Sequence, residues 1–98
     1  MKVTTVRIIG PSMEPALRNG EVYLAVSGVA VKAGDAVLMQ HPQRREMLTV
    51  KRIVRAQGDG WWVEGDNSTH STDSRHFGAI SGDLVRGRVL FRVRPFRR

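Results

Sequence analysis

Leu48-Thr49-Val50-Lys51-Arg52-Ile53-Val54-Arg55 is the stretch on which the fold turns. It is rich in β-branched residues and alternates in polarity, which is the pattern of a strand and not of a helix. Outward from it the same signal recurs. Leu48–Arg55 reads as the partner strand of a hairpin, Gly58-Asp59-Gly60 is a tight turn, and Trp61–Glu64 resumes a strand. Ala36–Gln40 is a strand on the other side, separated by a polar loop over Pro42–Glu46. Val3–Ile9, Val22–Val26 and Leu84–Val93 complete the set. Met13–Arg18 has room for one helical turn, closed by Asn19-Gly20. No segment holds a long helical pattern. The expected fold is mostly β, a single antiparallel β domain spanning 1–98 with irregular loops and little helix.

Length and composition agree. At 98 residues with 41% hydrophobic content, the chain suits one small globular domain. Such a domain buries roughly 60–70% of the surface its unfolded form exposes. Cysteine is absent, which excludes disulfides, thiolate metal sites and a cysteine nucleophile. No apolar run approaches the ~20 residues of a membrane span, and no signal-peptide pattern opens the chain. The expectation is a protein without a membrane anchor in this chain.

The formal charge of +7 is concentrated at one end. Arg86, Arg88, Arg92, Arg94, Arg97 and Arg98 are six of the 16 cations, and no acid follows Asp83. Residues 1–85 therefore hold ten cations against all nine carboxylates. A nucleic-acid binder spreads its charge over a face interleaved with aromatics. A basic last strand and a tail at about 94–98 is the simpler reading, with no nucleic acid expected.

Three patches carry candidate chemistry. In Gly10-Pro11-Ser12-Met13-Glu14-Pro15 a strand stops and a turn begins, so Ser12 could be a nucleophile beside free backbone N–H groups, or a helix N-cap. Alternation puts Lys51 on one face with Thr49 and Ile53, and Arg52 on the other. A free lysine is only ~0.04% neutral at pH 7. Burial would make Lys51 a usable base, while an exposed edge position would make it a guard against aggregation. The third patch, 65–78, is a long polar loop dense in side chains that bond their own backbone. There Asp73 and Arg75 could pair and Ser71 could hydrogen-bond a neutral amine, or the loop could be solvated and merely stiffened. His41, His70 and His76 lack metal-ligand spacing and are expected at the surface.

Taken in order, Gly-Pro-Ser-Met-x-Pro, Val-Lys-Arg-Ile-Val and Gly-Asp-Asn…Ser-x-Asp-Ser-Arg-x-Phe-Gly resemble the type I signal peptidase family, serine endopeptidases that use a Ser-Lys dyad. The resemblance runs from Val6 to Val93. It implies Ser12 as nucleophile and oxyanion N–H donor, and Lys51 as general base. Ser71 would orient the Lys51 amine, and Asp73 with Arg75 would hold the site. Gly65, Asp66 and Asn67 would shape the loop. Ile8, Ile9 and Val50 would line shallow pockets for a substrate bound as an added strand. No cofactor or metal is implied. The chain departs from the family at Gly10, where many members carry a serine or threonine as second oxyanion donor, and at Ala16 in Pro-Ala-Leu. Only eleven residues precede Ser12, where typical members have an anchor. Together with Trp61–Asn67 and Ser71–Arg75, this resembles the nickel-type superoxide dismutase maturation proteases. That implies a cytoplasmic enzyme removing a short N-terminal leader from a nickel superoxide dismutase precursor. The alternatives are a general signal peptidase domain, membrane-associated through an anchor outside this chain, and a non-enzymatic basic β module.

Overall fold

A computed structural model describes residues 1–94. Seven strands form one antiparallel sheet: β1 (Val3–Arg7), β2 (Val22–Val26), β3 (Ala36–His41), β4 (Arg44–Gln57), β5 (Gly60–Glu64), β6 (Ile80–Ser81) and β7 (Val85–Val93). Their order across the sheet is β1-β2-β7-β3-β4-β5-β6. The last strand is thus inserted between β2 and β3, and β1 and β6 are the edges of the sheet. Its Cα radius of gyration, 12.9 Å, is that of a single domain of about 100 residues.

Strand parity builds the core. Ala36 and Leu38 of β3, with Val50 of β4, face a cluster completed by Ile8, Met13 and Leu17. Val37 and Met39 face the opposite cluster with Ile53, Val63, Ile80 and Leu84. Strand β3 is therefore buried on both sides, which is why 36–39 is a continuous apolar run. Each fully buried aliphatic side chain contributes about 1.5–3 kcal/mol.

Several boundaries differ from the sequence reading. The loop expected over 42–46 is a two-residue turn at Pro42-Gln43, and β4 begins at Arg44 and runs 14 residues. Exposed Arg44, Arg45 and Glu46 belong to the solvated end of a long strand. No helix forms over 13–18. The segment is a series of turns, held by Leu17 N–H donating to Met13 O at 3.0 Å and Glu14 N–H to Pro11 O at 3.0 Å. Ser12 therefore caps no helix. The polar loop contains a 3-10 turn at Ser68–His70 and a four-residue helix, α1 (Ser74–Phe77). Asp73 caps α1: its carboxylate accepts from Arg75 N–H at 3.1 Å, while His76 Nδ1 accepts from Asp73 N–H at 3.4 Å. Contrary to the surface position expected of it, His41 is buried, edge-on to Phe77 at 5.3 Å. Arg92 is exposed and paired to Glu21 at 3.1 Å. Arg97, Arg98 and most of the basic tail lie outside the described residues.

Candidate active site

Lys51 sits in the middle of β4, opposite Val37 of β3, and is only 4% exposed. Its neighbours along the same face are Thr49 and Ile53, the latter in the cluster of Val37 and Met39. The edge-guard reading of this lysine fails on that burial. Its pKa is lowered, first by loss of solvation and further by the Arg75 charge, with the Asp73 carboxylate opposing. The amine donates to Ser71 Oγ at 3.2 Å.

Ser71 passes the contact on, donating to Asp73 Oδ2 at 2.7 Å. Asp73 is completely buried, and every acceptor site it offers is used. Arg75 grips it twice, from Nε at 2.9 Å and from Nη2 at 2.6 Å, and Gly65 N–H donates at 2.8 Å. Burial alone pushes the Asp73 carboxyl up. The bonds from Arg75, Gly65 and Ser71 outweigh that and hold it well below the usual carboxylate range. The carboxylate stays charged and locks Ser71 as donor to it, which leaves the Ser71 oxygen free to accept from lysine.

The Gly65-Asp66-Asn67 run connects this network to Ser12. Asn67 N–H donates to Ser12 O at 2.8 Å and Asn67 Nδ2 to Pro11 O at 3.1 Å. Ser12 and Ser71 meet across Gly65. A Cβ there would lie 2.6 Å from Ser71 Cβ and 2.7 Å from Ser12 O, closer than any side chain tolerates. Asp66 turns away from this cluster and takes a two-point ion pair with Arg52, at 2.9 and 2.8 Å. Arg52 also donates to Gly34 O at 2.9 Å. Sequence alone places Arg52 on the face away from Lys51 and assigns it no role. Its signal was that parity, beside an acid in Gly-Asp-Asn.

Ser12 is half-buried at the lip of a cavity of about 410 Å³. Among the described residues, Ser12 Oγ and Ser12 N–H have no hydrogen-bond partner in the protein, and Lys51 Nζ bonds Ser71 and not Ser12. Ile8, Ile9 and Val50 all line that cavity; Ile8 and Val50 are buried, while Ile9 is 78% exposed at the rim. Gly10 takes a positive φ of 86°, a conformation that favours glycine. Its N–H is committed to Asn19 Oδ1 at 2.8 Å. Gly10 therefore supplies neither a hydroxyl nor a spare N–H as second oxyanion donor.

A hydroxyl in a cleft, and a desolvated lysine anchored through Ser71 to the buried, Arg75-held carboxylate of Asp73, are the groups a serine peptidase needs. The chain is a hydrolase of that class, and it belongs to the Peptidase S24-like family, whose model matches residues 1–85. It is 32% identical to mitochondrial inner membrane protease subunit 1 of Mus musculus, over 89% of this chain and 67% of that protein. Identity is also 32% to mitochondrial ATP-independent inner membrane protease subunit 1a of Arabidopsis thaliana, covering 95% and 71%. To mitochondrial inner membrane protease subunit 2 of Schizosaccharomyces pombe it is 32%, covering 93% and 64%. The chain spans about two thirds of the length of these relatives. They are mitochondrial inner membrane protease subunits and not nickel superoxide dismutase maturation proteases. Among the described residues no helix is long and apolar enough to cross a membrane.

Proposed function

We propose that the chain is one peptidase domain that removes an N-terminal leader from a precursor protein, with Ser12 as nucleophile and Lys51 as base. The observation that carries this is the buried Lys51 amine, held by Ser71 and Asp73 on the far side of Gly65 from Ser12. In its neutral form Lys51 takes the Ser12 proton as Oγ attacks the scissile carbonyl carbon. The resulting oxyanion accepts from Ser12 N–H. When the C–N bond breaks, the Lys51 ammonium returns the proton to the leaving amine, and an ester on Ser12 remains. Water then attacks the ester with Lys51 again as base. Ser71 and Asp73 fix where the amine points, and Arg75 keeps Asp73 charged. Proton transfer from Ser12 needs Lys51 Nζ to swing from Ser71 toward Oγ, a tightening common when substrate arrives.

The precursor favoured by the likeness of Trp61–Asn67 and Ser71–Arg75 to the maturation proteases is that of nickel superoxide dismutase, cut in the cytoplasm. The named relatives favour a second reading, a membrane-associated processing peptidase acting on other precursors. One experiment separates them. The purified protein is mixed with a nickel superoxide dismutase precursor and with a secretory precursor, and the products are weighed by mass spectrometry. A single cut near the dismutase N-terminus, absent with Ser12→Ala, is expected. An intact dismutase beside a trimmed secretory precursor selects the second reading, and two intact precursors contradict both.

A further inference from the structure

Strand β4 pairs with β3 from Leu48 to Arg52 and again at Arg44, with a register shift over Arg45–Met47, and from Arg44 to Lys51 its other edge has no partner among the described residues, because β5 joins only at Arg52. The edge of β1 away from β2 is likewise unpaired. Two cavities flank the open edge of β4. The first, of about 410 Å³, lies between β1 and β4 and is lined by Val6, Ile8, Ser12, Leu48 and Val50. The second, of about 360 Å³, is lined by Arg44, Met47, Thr49, Lys51 and Thr72. Strand alternation explains the division. Leu48 and Val50 point to one face, and Met47 and Lys51 to the other, with Thr49 bordering both; Arg44, whose parity is that of Leu48 and Val50, lines the second cavity because the register shifts between it and Leu48.

A peptide added along this edge alternates in the same way. The first cavity runs from Ser12 and Val50 back toward Leu48 and Thr4, so the residues before the cut extend from the Lys51 end of β4 toward Arg44. The residue at the cut and the one two before it then enter the first cavity. The residue between them, second before the cut, is aimed at the other cavity. That cavity offers an apolar wall at Met47, hydroxyls at Thr49 and Thr72, the side chains of His41 and Gln43, the Lys51 amine that Ser71 holds, and Arg44. Among the described residues no carboxylate lies within 4 Å of Arg44. We propose that this second cavity is a specificity site that takes the penultimate residue of the leader and selects an acidic one, glutamate, with its methylenes on Met47 and its carboxylate on Arg44. This rests on the Ser12–Lys51 peptidase reading for the position of the cut.

The test uses three peptides identical except for Glu, Ala or Lys at the second position before an alanine cut site. Each is assayed for kcat and KM with the wild-type protein and with Arg44→Glu, and each is titrated against Ser12→Ala protein for Kd. The expected result is a preference of about tenfold for Glu over Lys, the scale of one charge-assisted hydrogen bond. It should appear in KM and in Kd, and Arg44→Glu should reverse it in KM. Equal Kd values for the three peptides, or an order unchanged by Arg44→Glu, overturns the proposal whether or not cleavage occurs. Selective binding by Ser12→Ala without any cleavage by the wild type keeps the cavity assignment and removes the peptidase reading instead.

Discussion

At the scale of single residues, the role proposed for Lys51 depends on where it is and not what it is. The same side chain on an exposed edge would be a permanent cation. At 4% exposure it loses solvation, and its pKa falls despite the Asp73 carboxylate two hydrogen bonds away through Ser71. Activity should therefore rise with pH as the amine loses its proton, with an apparent pKa below the ordinary lysine value. Lys51→Arg keeps the charge but has no accessible neutral form, so it should lose about 10²–10⁴-fold in kcat at every pH up to 10. A pH series of initial rates on both proteins checks this. A wild-type profile flat from pH 6 to 10 with chemistry limiting would count against a lysine base.

At the scale of elements, the loop from Gly65 to Asp73 is a strap between β4, β5 and the Ser12 turn. It is tied at three points: Asp66 to Arg52, Asn67 to Pro11 and Ser12, and Asp73 to Arg75. The Arg52–Asp66 tie touches none of the reacting groups. Asp66→Ala should lower kcat several-fold by loosening the strap, while the apparent pKa of the pH profile stays that of the wild type. Steady-state kinetics across pH would show it, and a shifted pKa would mean that Asp66 acts on Lys51 directly. The strap's place beside Ser12 and Lys51 was implied by the family resemblance of Gly-Asp-Asn and Ser-x-Asp-Ser-Arg, while its residue types alone fitted a solvated loop equally well. Its short helix was not legible, since four residues give no 3.6-residue period. The start of β4 was hidden by Arg44-Arg45-Glu46, whose polarity is that of a loop, and by a Pro-Gln turn without the glycine or asparagine of common hairpins. The burial of His41 depends on Phe77, 36 residues away in sequence, which no local pattern contains.

At the scale of the whole molecule, the buried network couples chemistry to stability. Asp73 has a folded-state pKa below its unfolded value, so its stabilising contribution is present above pH ~4 and lost as pH falls further. Lys51 works in the opposite range. Its folded pKa is below its unfolded one, so the unfolded chain binds more protons between the two values, and stability gains with rising pH there. Asp73→Asn should be less stable than wild type at neutral pH and should show a shallower loss of Tm between pH 5 and 3, as measured by thermal unfolding. The central claim, that Ser12 attacks under the control of Lys51, is met most directly by weighing the intact protein after acid quench of a reaction with an activated peptide ester. The account predicts a single acyl addition, mapped to Ser12 by digestion and absent from Lys51→Arg at matched pH. An acyl group on any other residue, or equal labelling of Ser12 in Lys51→Arg, would contradict it.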